Sequence, residues 1–314
     1  MKFSIAHITN RKIACHDWFC DGLVKQVGSG EWPEIIFIDS VLWQDPIGRK
    51  KELLDTVAGR FKYRHEPPKP TVWQGPTRLT TQDYFAASNA RNTGICLAST
   101  PYIMFVDDLS VLGPQWLSNV RHAAEGKYCV AGSYRKSFDM VVEGGELKSH
   151  RPNIQEGTGR DLGLDSRCGV GRDTGIVKVD GGLLYGCSCG FSIDTLLQVN
   201  GFDEIHDSSG AEDYSLGITL QKWGHQLWFN RNVFSCESEE LHGQHPVMKR
   251  IIKPGNPDAS HVILNRLKAD PRPRTYGNFF ELRDLRNSVL AGNPFPVPTK
   301  PSHHWFDNAD LRTM

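Results

Sequence analysis

Carboxylates that close apolar, strand-like runs are the residues of this sequence best placed to do chemistry. Glu34-Ile-Ile-Phe-Ile-Asp39 and Tyr102-Ile-Met-Phe-Val-Asp107 both end in acid, and Asp108 follows the second directly. If the two strands share a sheet, Asp39 and the Asp107, Asp108 pair lie along one edge of it. There one carboxylate can accept from a nucleobase N–H or a ribose hydroxyl, while another holds a divalent cation against a diphosphate. An acid also ends many strands because a turn begins there; the tandem makes the chemical reading the better one. A second pair, Glu212-Asp213, opens a predicted helix. The helix dipole favours ionised carboxylates in the first turn, and an ionised carboxylate can take a proton from an attacking hydroxyl.

Glycines at 181, 182, 186 and 190 crowd one segment and permit close backbone approach, to a ligand or to a packed neighbour. Trp73 sits in a Pro-rich stretch, residues 63–80, that is too broken by proline for regular structure and suits a lid or an acceptor wall.

Positioning such groups requires an α/β framework. Apolar runs at Phe3 to Ile8, Glu34 to Asp39, Tyr102 to Asp107, Tyr128 to Tyr134 and from His225 alternate with helical patterns, which predicts a mainly parallel sheet. In such sheets ligands bind at the carboxyl ends of the strands. Helices are predicted over Asp17 to Val27, Lys50 to Ala58, Asp83 to Ala98 and Glu212 to Trp223, with another opened by Pro114. A further one is capped by Ser192 and ended by Gly201. Residues 136–180 lack a sustained period and are expected to form a mobile loop. The tail predicts helices over Asp258 to Ala269 and Asn278 to Ala291, then a Pro-rich end.

The 314 residues suffice for one large α/β unit with an extension, or about two domains. Lysine with arginine and aspartate with glutamate both total 36, so no global basic field exists to hold a nucleic-acid backbone. Eight cysteines fall mostly in apolar segments, as expected of reduced thiols. Cys187 and Cys189 are one residue apart with no second pair, which does not make a zinc site. The N-terminus shows no signal-peptide core and no window of about 18 apolar residues occurs, so a cytoplasmic protein is expected.

Two blocks bring a specific resemblance. SNARNTGICLASTPYIMFVDDLSVLGPQWL resembles the family-2 glycosyltransferase segment in which an Ala-Arg-Asn helix precedes a strand ending in the DXD motif. GCSCGFSIDTLLQVNGFDE, followed by GAEDYSLGITLQKWGHQLWFN, is similar to that family's acceptor-side block, and the likeness spans about residues 1–245. It implies a GT-A fold: a Rossmann-like, mainly parallel sheet flanked by helices. The domain would cover 1–246, split into a nucleotide half (1–112) and an acceptor half (113–246), with a helical, Pro-rich C-terminal extension over 247–314.

The resemblance also implies roles. Thr9 and Asp39 would meet the nucleobase, Arg91 and Asn92 the nucleotide, and Asp107 and Asp108 the ribose and metal; apart from the resemblance, the glycine cluster sets Gly182 as a point of close approach for the donor sugar. Asp213 would be the catalytic base, with Glu212 beside it. The family often carries a third acid where this chain has Leu109, so the shell of a Mn2+ or Mg2+ ion must be completed elsewhere. His242 or His245, at the distance where the GT-A fold supplies a late histidine, are the candidates. Trp73 could stack on a sugar face.

The implied activity is an inverting, metal-dependent transfer from a nucleotide-diphosphate sugar, a UDP-sugar foremost, to an acceptor hydroxyl. That is a hexosyltransferase-like enzyme of class EC 2.4. Glycan, protein, small-molecule and nucleic-acid acceptors stay open, with neutral charge weighing mildly against DNA. Two alternatives compete. A sugar-phosphate nucleotidyltransferase would want a glycine-rich basic loop after the first strand, where this chain reads HITNRKIACHDW. A nucleotide-sugar-binding protein without transferase activity would not need Asp213.

Overall fold

The computed structural model describes residues 1–170, 175–207, 210–243 and 259–299. In chain order the elements are β1 (Ser4–Thr9), α1 (His16–Val27), β2 (Glu34–Asp39), α2 (Pro46–Val57), β3 (Tyr63–Glu66), α3 (Ala87–Leu97), β4 (Tyr102–Asp107), β5 (Ser110–Leu112), α4 (Trp116–Glu125) and β6 (Cys129–Glu143). They continue with β7 (Glu146–Pro152), β8 (Ile176–Val179), β9 (Ser188–Ser192), α5 (Ile193–Gln198), α6 (Glu212–Lys222), β10 (Leu227–Ser238), α7 (Glu239–Gly243), α8 (Ala259–Ala269) and α9 (Leu282–Leu290).

The strands form one sheet in the order β3-β2-β1-β4-β9-β6-β10-β5, with β7 beside β6 and β8 beside β10. Along that path β3, β2, β1, β4, β6 and β10 run one way, while β9 and β5 run against them. The chain therefore has the α/β architecture its alternating runs predict, a mainly parallel sheet flanked by helices. Successive side chains of a strand leave on opposite faces, so each central strand feeds two cores. Ile36, Ile38, Ile103 and Phe105 enter one apolar cluster; Ile35, Phe37, Met104 and Val106 enter the other. Burial on both faces explains why β2 and β4 read as continuous apolar runs.

Helix starts follow local chemistry. Pro46 opens α2 behind Asp45, whose Oδ1 accepts from the Gly48 N–H at 2.9 Å. Ser192 caps α5 as expected, its Oγ accepting from the Thr195 N–H at 3.1 Å. The described part of the tail lies on the first core: Tyr276, Leu282 and Leu285 are buried with Phe202 and Leu97. Asn200 ties that tail in by donating to the Tyr276 carbonyl and accepting from the Leu282 N–H.

Three expectations change. The Pro-rich stretch contains a strand, β3, which lies at the sheet edge where proline downstream cannot break a ladder. Residues 136–180 are not one loop, because β6 runs on to Glu143 and turns at Gly144 and Gly145 into the antiparallel β7. Its apolar alternation is short, with Phe138, Met140 and Val142 half-buried on one face and Asp139, Val141 and Glu143 exposed on the other, and so did not stand out as a sustained period. Helix α3 starts at Ala87 rather than Asp83, whose carboxylate instead accepts from Gly75 and Arg78.

The glycines at 181 and 217 meet each other. A Cβ on Gly217 would lie 1.9 Å from the Gly181 carbonyl oxygen, and one on Gly181 would lie 2.1 Å from that of Gly217. This contact seats α6 on the turn before β9. Gly217→Ala is expected to cost about 1–3 kcal/mol through overpacking, read as a lowered urea midpoint with unchanged slope.

No helix among the described residues is long and apolar enough to cross a membrane. All eight cysteines are free.

Candidate functional site

At the carboxyl ends of β1 and β4 a cavity of about 320 Å³ opens, bounded across the sheet by the start of α6 and the end of β10. Thr9, Asp107 and Asp108 line it from the strands, Glu212 and Asp213 from α6, and Arg91 from α3. Residues more than a hundred positions apart in sequence thus share one cleft.

Arg91 organises the centre. Its guanidinium donates to Asp107 Oδ1 at 3.0 Å and to Glu212 Oε1 at 2.6 Å, so one buried cation ties β4 to α6. Burial opposes its charge, but Asp107 and Glu212 more than compensate and hold it protonated. Asp213 stands next to this bridge. Its Oδ2 accepts from the Gly186 N–H and its Oδ1 from the Tyr214 N–H, both at 2.7 Å. Burial, then the neighbouring Glu212, push its pKa up to about 6, against the pull of Arg91 and the two N–H donors. A carboxylate poised there is ionised at neutral pH yet basic enough to accept a proton.

Asp108 is held from two sides. Thr9 Oγ1 donates to its Oδ2 at 2.6 Å, and Arg11 lies against Oδ1 in an ion pair. Burial raises its pKa to about 6 despite Arg11 and Thr9. Asp107, about a third exposed, is also raised by burial, with Arg91 pulling the other way. Leu109, in the third position of the motif, is buried in a left-handed turn with φ of 61°.

Several predicted residues lie elsewhere. Asp39 is fully buried and does not line the cleft; its carboxylate accepts from Arg49 Nε at 2.9 Å and from the Val41 N–H, with His65 Nε2 3.2 Å away. Asn92 uses both ends of its amide on the 202–204 turn, accepting from the Phe202 N–H and donating to the Phe202 carbonyl and Glu204. Gly182 donates to Asp180 Oδ1, and a Cβ on it would meet the Tyr214 hydroxyl at 3.0 Å. Trp73 is buried, not presented as a sugar platform. His242, on α7, is exposed and lines the cleft; His245 lies outside the described residues.

Three charged cleft residues lie outside the expected set. Arg11 follows β1, Lys136 lies on β6, and Glu237 is the last residue but one of β10. Glu237 is only 5% exposed, and its Oε1 has no hydrogen-bond partner. Burial, then Asp107, push its pKa up to about 8 against the pull of Lys136. The apolar run that ends in Asp107 has no counterpart before Glu237, where β10 reads Asn-Val-Phe-Ser-Cys-Glu-Ser, so no strand-end signal marked it.

Among the described residues no three His, Cys, Asp or Glu side chains stand in a geometry that would hold a metal ion, with Arg11 seated on Asp108 and Arg91 on Asp107. The donor chemistry nonetheless suits a hard divalent cation. Oxygen ligands predominate, and the cleft sets five carboxylates against Arg11, Arg91 and Lys136. That leaves an excess of negative charge where a diphosphate would bring more.

No protein-family model matches this sequence, and no curated protein matches it. Similar solved structures include residues 1–349 of S. aureus TarS in complex with UDP-GlcNAc, at a TM-score of 0.45 and 11% identity, covering 78% of this chain and 62% of that one. GalNAc-T7 with UDP, GalNAc and Mn2+ gives a TM-score of 0.49 at 11% identity, covering 96% of this chain and 59% of that one. This chain spans about three fifths of the length of these structures.

Proposed function

We propose that this chain is a GT-A-type glycosyltransferase that moves a sugar from a nucleotide-diphosphate sugar, a UDP-sugar foremost, to an acceptor hydroxyl. The observation that carries this reading is the single cleft shared by Thr9, Asp107 and Asp108 at the strand ends and by Glu212 and Asp213 at the first turn of α6. A strand-end acid pair faces a base with a pKa near 6 across a space of about 320 Å³.

The reaction is a single displacement. Asp213 takes the proton of the acceptor hydroxyl, whose oxygen forms a bond to the anomeric carbon from the side opposite the phosphate. The bond from that carbon to the diphosphate oxygen breaks, the nucleoside diphosphate leaves with the electron pair, and the anomeric centre inverts. Glu212 stays paired with Arg91 and serves as the positioning residue for Asp213. Holding the reactants in line supplies the entropic part of the acceleration. Asp107 and Asp108, with His242 or His245, would hold a Mn2+ or Mg2+ ion, which supplies neutralisation of the leaving diphosphate.

The base sets the pH dependence. Asp213 must be ionised, so kcat/KM is expected to fall about tenfold per unit below its pKa of about 6 and to level off above it. A profile flat from pH 5 to 8 contradicts that role.

A nucleotide-sugar panel in a thermal-shift assay, with and without Mn2+, tests the reading as a whole. A donor that binds the native state must raise the melting temperature. The expected result is a shift for one nucleotide family, larger with Mn2+; no shift for any nucleotide at millimolar concentration contradicts it. The buried Leu109 is the one feature that favours a binding protein without turnover, and Mn2+-stimulated donor hydrolysis separates the two readings.

A further inference from the structure

Beside the proposed base the wall of the cleft is aromatic. Tyr134 and Tyr185 both line the cavity, their rings 6.1 Å apart and tilted by 58°. Both are half-buried, so each keeps surface for a ligand. Tyr185 directly precedes Gly186, whose N–H holds Asp213 Oδ2 at 2.7 Å. The ring therefore borders the group that must meet the acceptor, away from Thr9 and Asp108 at the strand ends.

Tyr185 is held from behind. The Arg167 guanidinium lies 4.2 Å from the centre of its ring, within cation–π range, and is only 1% exposed. Arg167 is fixed in turn: it donates to Asp165 Oδ1 at 2.9 Å, to the Leu183 carbonyl at 2.9 Å and to the Gly132 carbonyl at 2.7 Å. The buried cation covers one face of the ring and leaves the other to the cleft. A ring anchored in this way gives up little conformational freedom when a ligand lies against it. Trp73, the aromatic that the sequence offered as a platform, is buried and presents no such face.

A ligand bound here meets an apolar ring face inside a polar, charged surround. A pyranose has the matching construction, with C–H groups on one face and hydroxyls around its rim, and an aromatic ring with a polar tip suits both. The cleft sets five carboxylates against Arg11, Arg91 and Lys136, which disfavours an acceptor that brings further negative charge. We propose that Tyr185, with Tyr134 beside it, is the acceptor platform, and that the acceptor is an uncharged glycoside lying with one pyranose face on that ring. The proposal deepens the transferase reading and rests on it for the role of the bound sugar as acceptor. The sugar site itself can be tested apart from the donor.

Saturation-transfer difference NMR on the full chain, with and without UDP, reads the platform. The probes are the methyl pyranosides of glucose, galactose and N-acetylglucosamine, with glucitol as an acyclic polyol and N-acetylthreonine amide as a peptide-type hydroxyl. The expected result is saturation of at least one pyranoside, strongest at its ring C–H protons, with glucitol and the threonine amide silent. Tyr185→Leu, which keeps apolar volume without the aromatic face, should weaken that pyranoside about tenfold, the scale of one aromatic contact. Tyr185→Phe should retain it, and both variants are checked for an intact thermal transition. No saturation of any pyranoside by wild type overturns the proposal, as does pyranoside binding by Tyr185→Leu equal to wild type. Equal saturation of glucitol or of the threonine amide overturns it too, since neither has a pyranose face. UDP binding, measured by calorimetry, separates the two readings. If UDP binds and no pyranoside does, the transferase reading stands without the platform. If a pyranoside binds through Tyr185 and UDP never does, the sugar site stands and the transferase reading falls.

Discussion

Asp213→Asn is expected to lower the transfer rate by about 10²- to 10⁴-fold, the range attributable to a positioned general base, while UDP affinity stays at the wild-type level. The asymmetry follows from geometry. Asp213 lies at the α6 side of the cleft, tied to the Gly186 and Tyr214 N–H groups, while Thr9 and Asp108 line it from the strand ends. Asparagine is nearly isosteric, but its amide cannot take up a proton at neutral pH, and its NH2 must face a backbone N–H that the carboxylate accepted from. A small loss of melting temperature is therefore expected beside the large loss of rate. Single-turnover transfer and calorimetric UDP binding, measured together, check both halves. Turnover within about threefold of wild type, far short of the general-base range, assigns the base elsewhere.

The second large effect falls on stability. Arg91→Met removes the cation shared by Asp107 and Glu212 and leaves two carboxylates in a largely desolvated setting. Breaking a buried pair by deleting one partner costs about 3–5 kcal/mol. The deficit should shrink as pH is lowered, because protonation removes the orphaned charges, and should be largest at neutral pH and above. Urea denaturation of both proteins at pH 5 and pH 8 reads this directly. A deficit below about 1 kcal/mol at pH 8, the scale of an exposed pair, shows that water has replaced the bridge. Gly186 reinforces the point, since a Cβ there would lie 2.5 Å from an Arg91 Nη; side chain, bridge and base are packed as a unit.

What the sequence made legible were features whose cause is local. Strands β2 and β4 match their predicted bounds because burial on both faces leaves an uninterrupted apolar run that stops at an acid. Ser192 and the Glu212-Asp213 pair were readable because capping and first-turn chemistry act over three or four residues. The β6–β7 ribbon escaped because its stability comes from pairing rather than from a buried face. Asp39 shows the other limit. Its place at a strand end was visible, but its engagement by Arg49 from α2 and His65 from β3 is a matter of packing order that no short window encodes. Asn92 is alike, its amide holding a turn more than a hundred residues away. Glu237 sits in a mixed run one residue before the end of β10, and its place in the cleft depends on β10 lying beside β5.

A crystal of the full chain soaked with UDP and Mn2+ tests the shared cleft most directly. The expected difference density places the diphosphate beside Arg11, Asp107 and Asp108, with Asp213 facing the open space beyond its terminal phosphate. UDP bound away from Thr9, Asp108 and Asp213, or no UDP at saturating concentration in a lattice that leaves the cleft open, contradicts sugar transfer at this site.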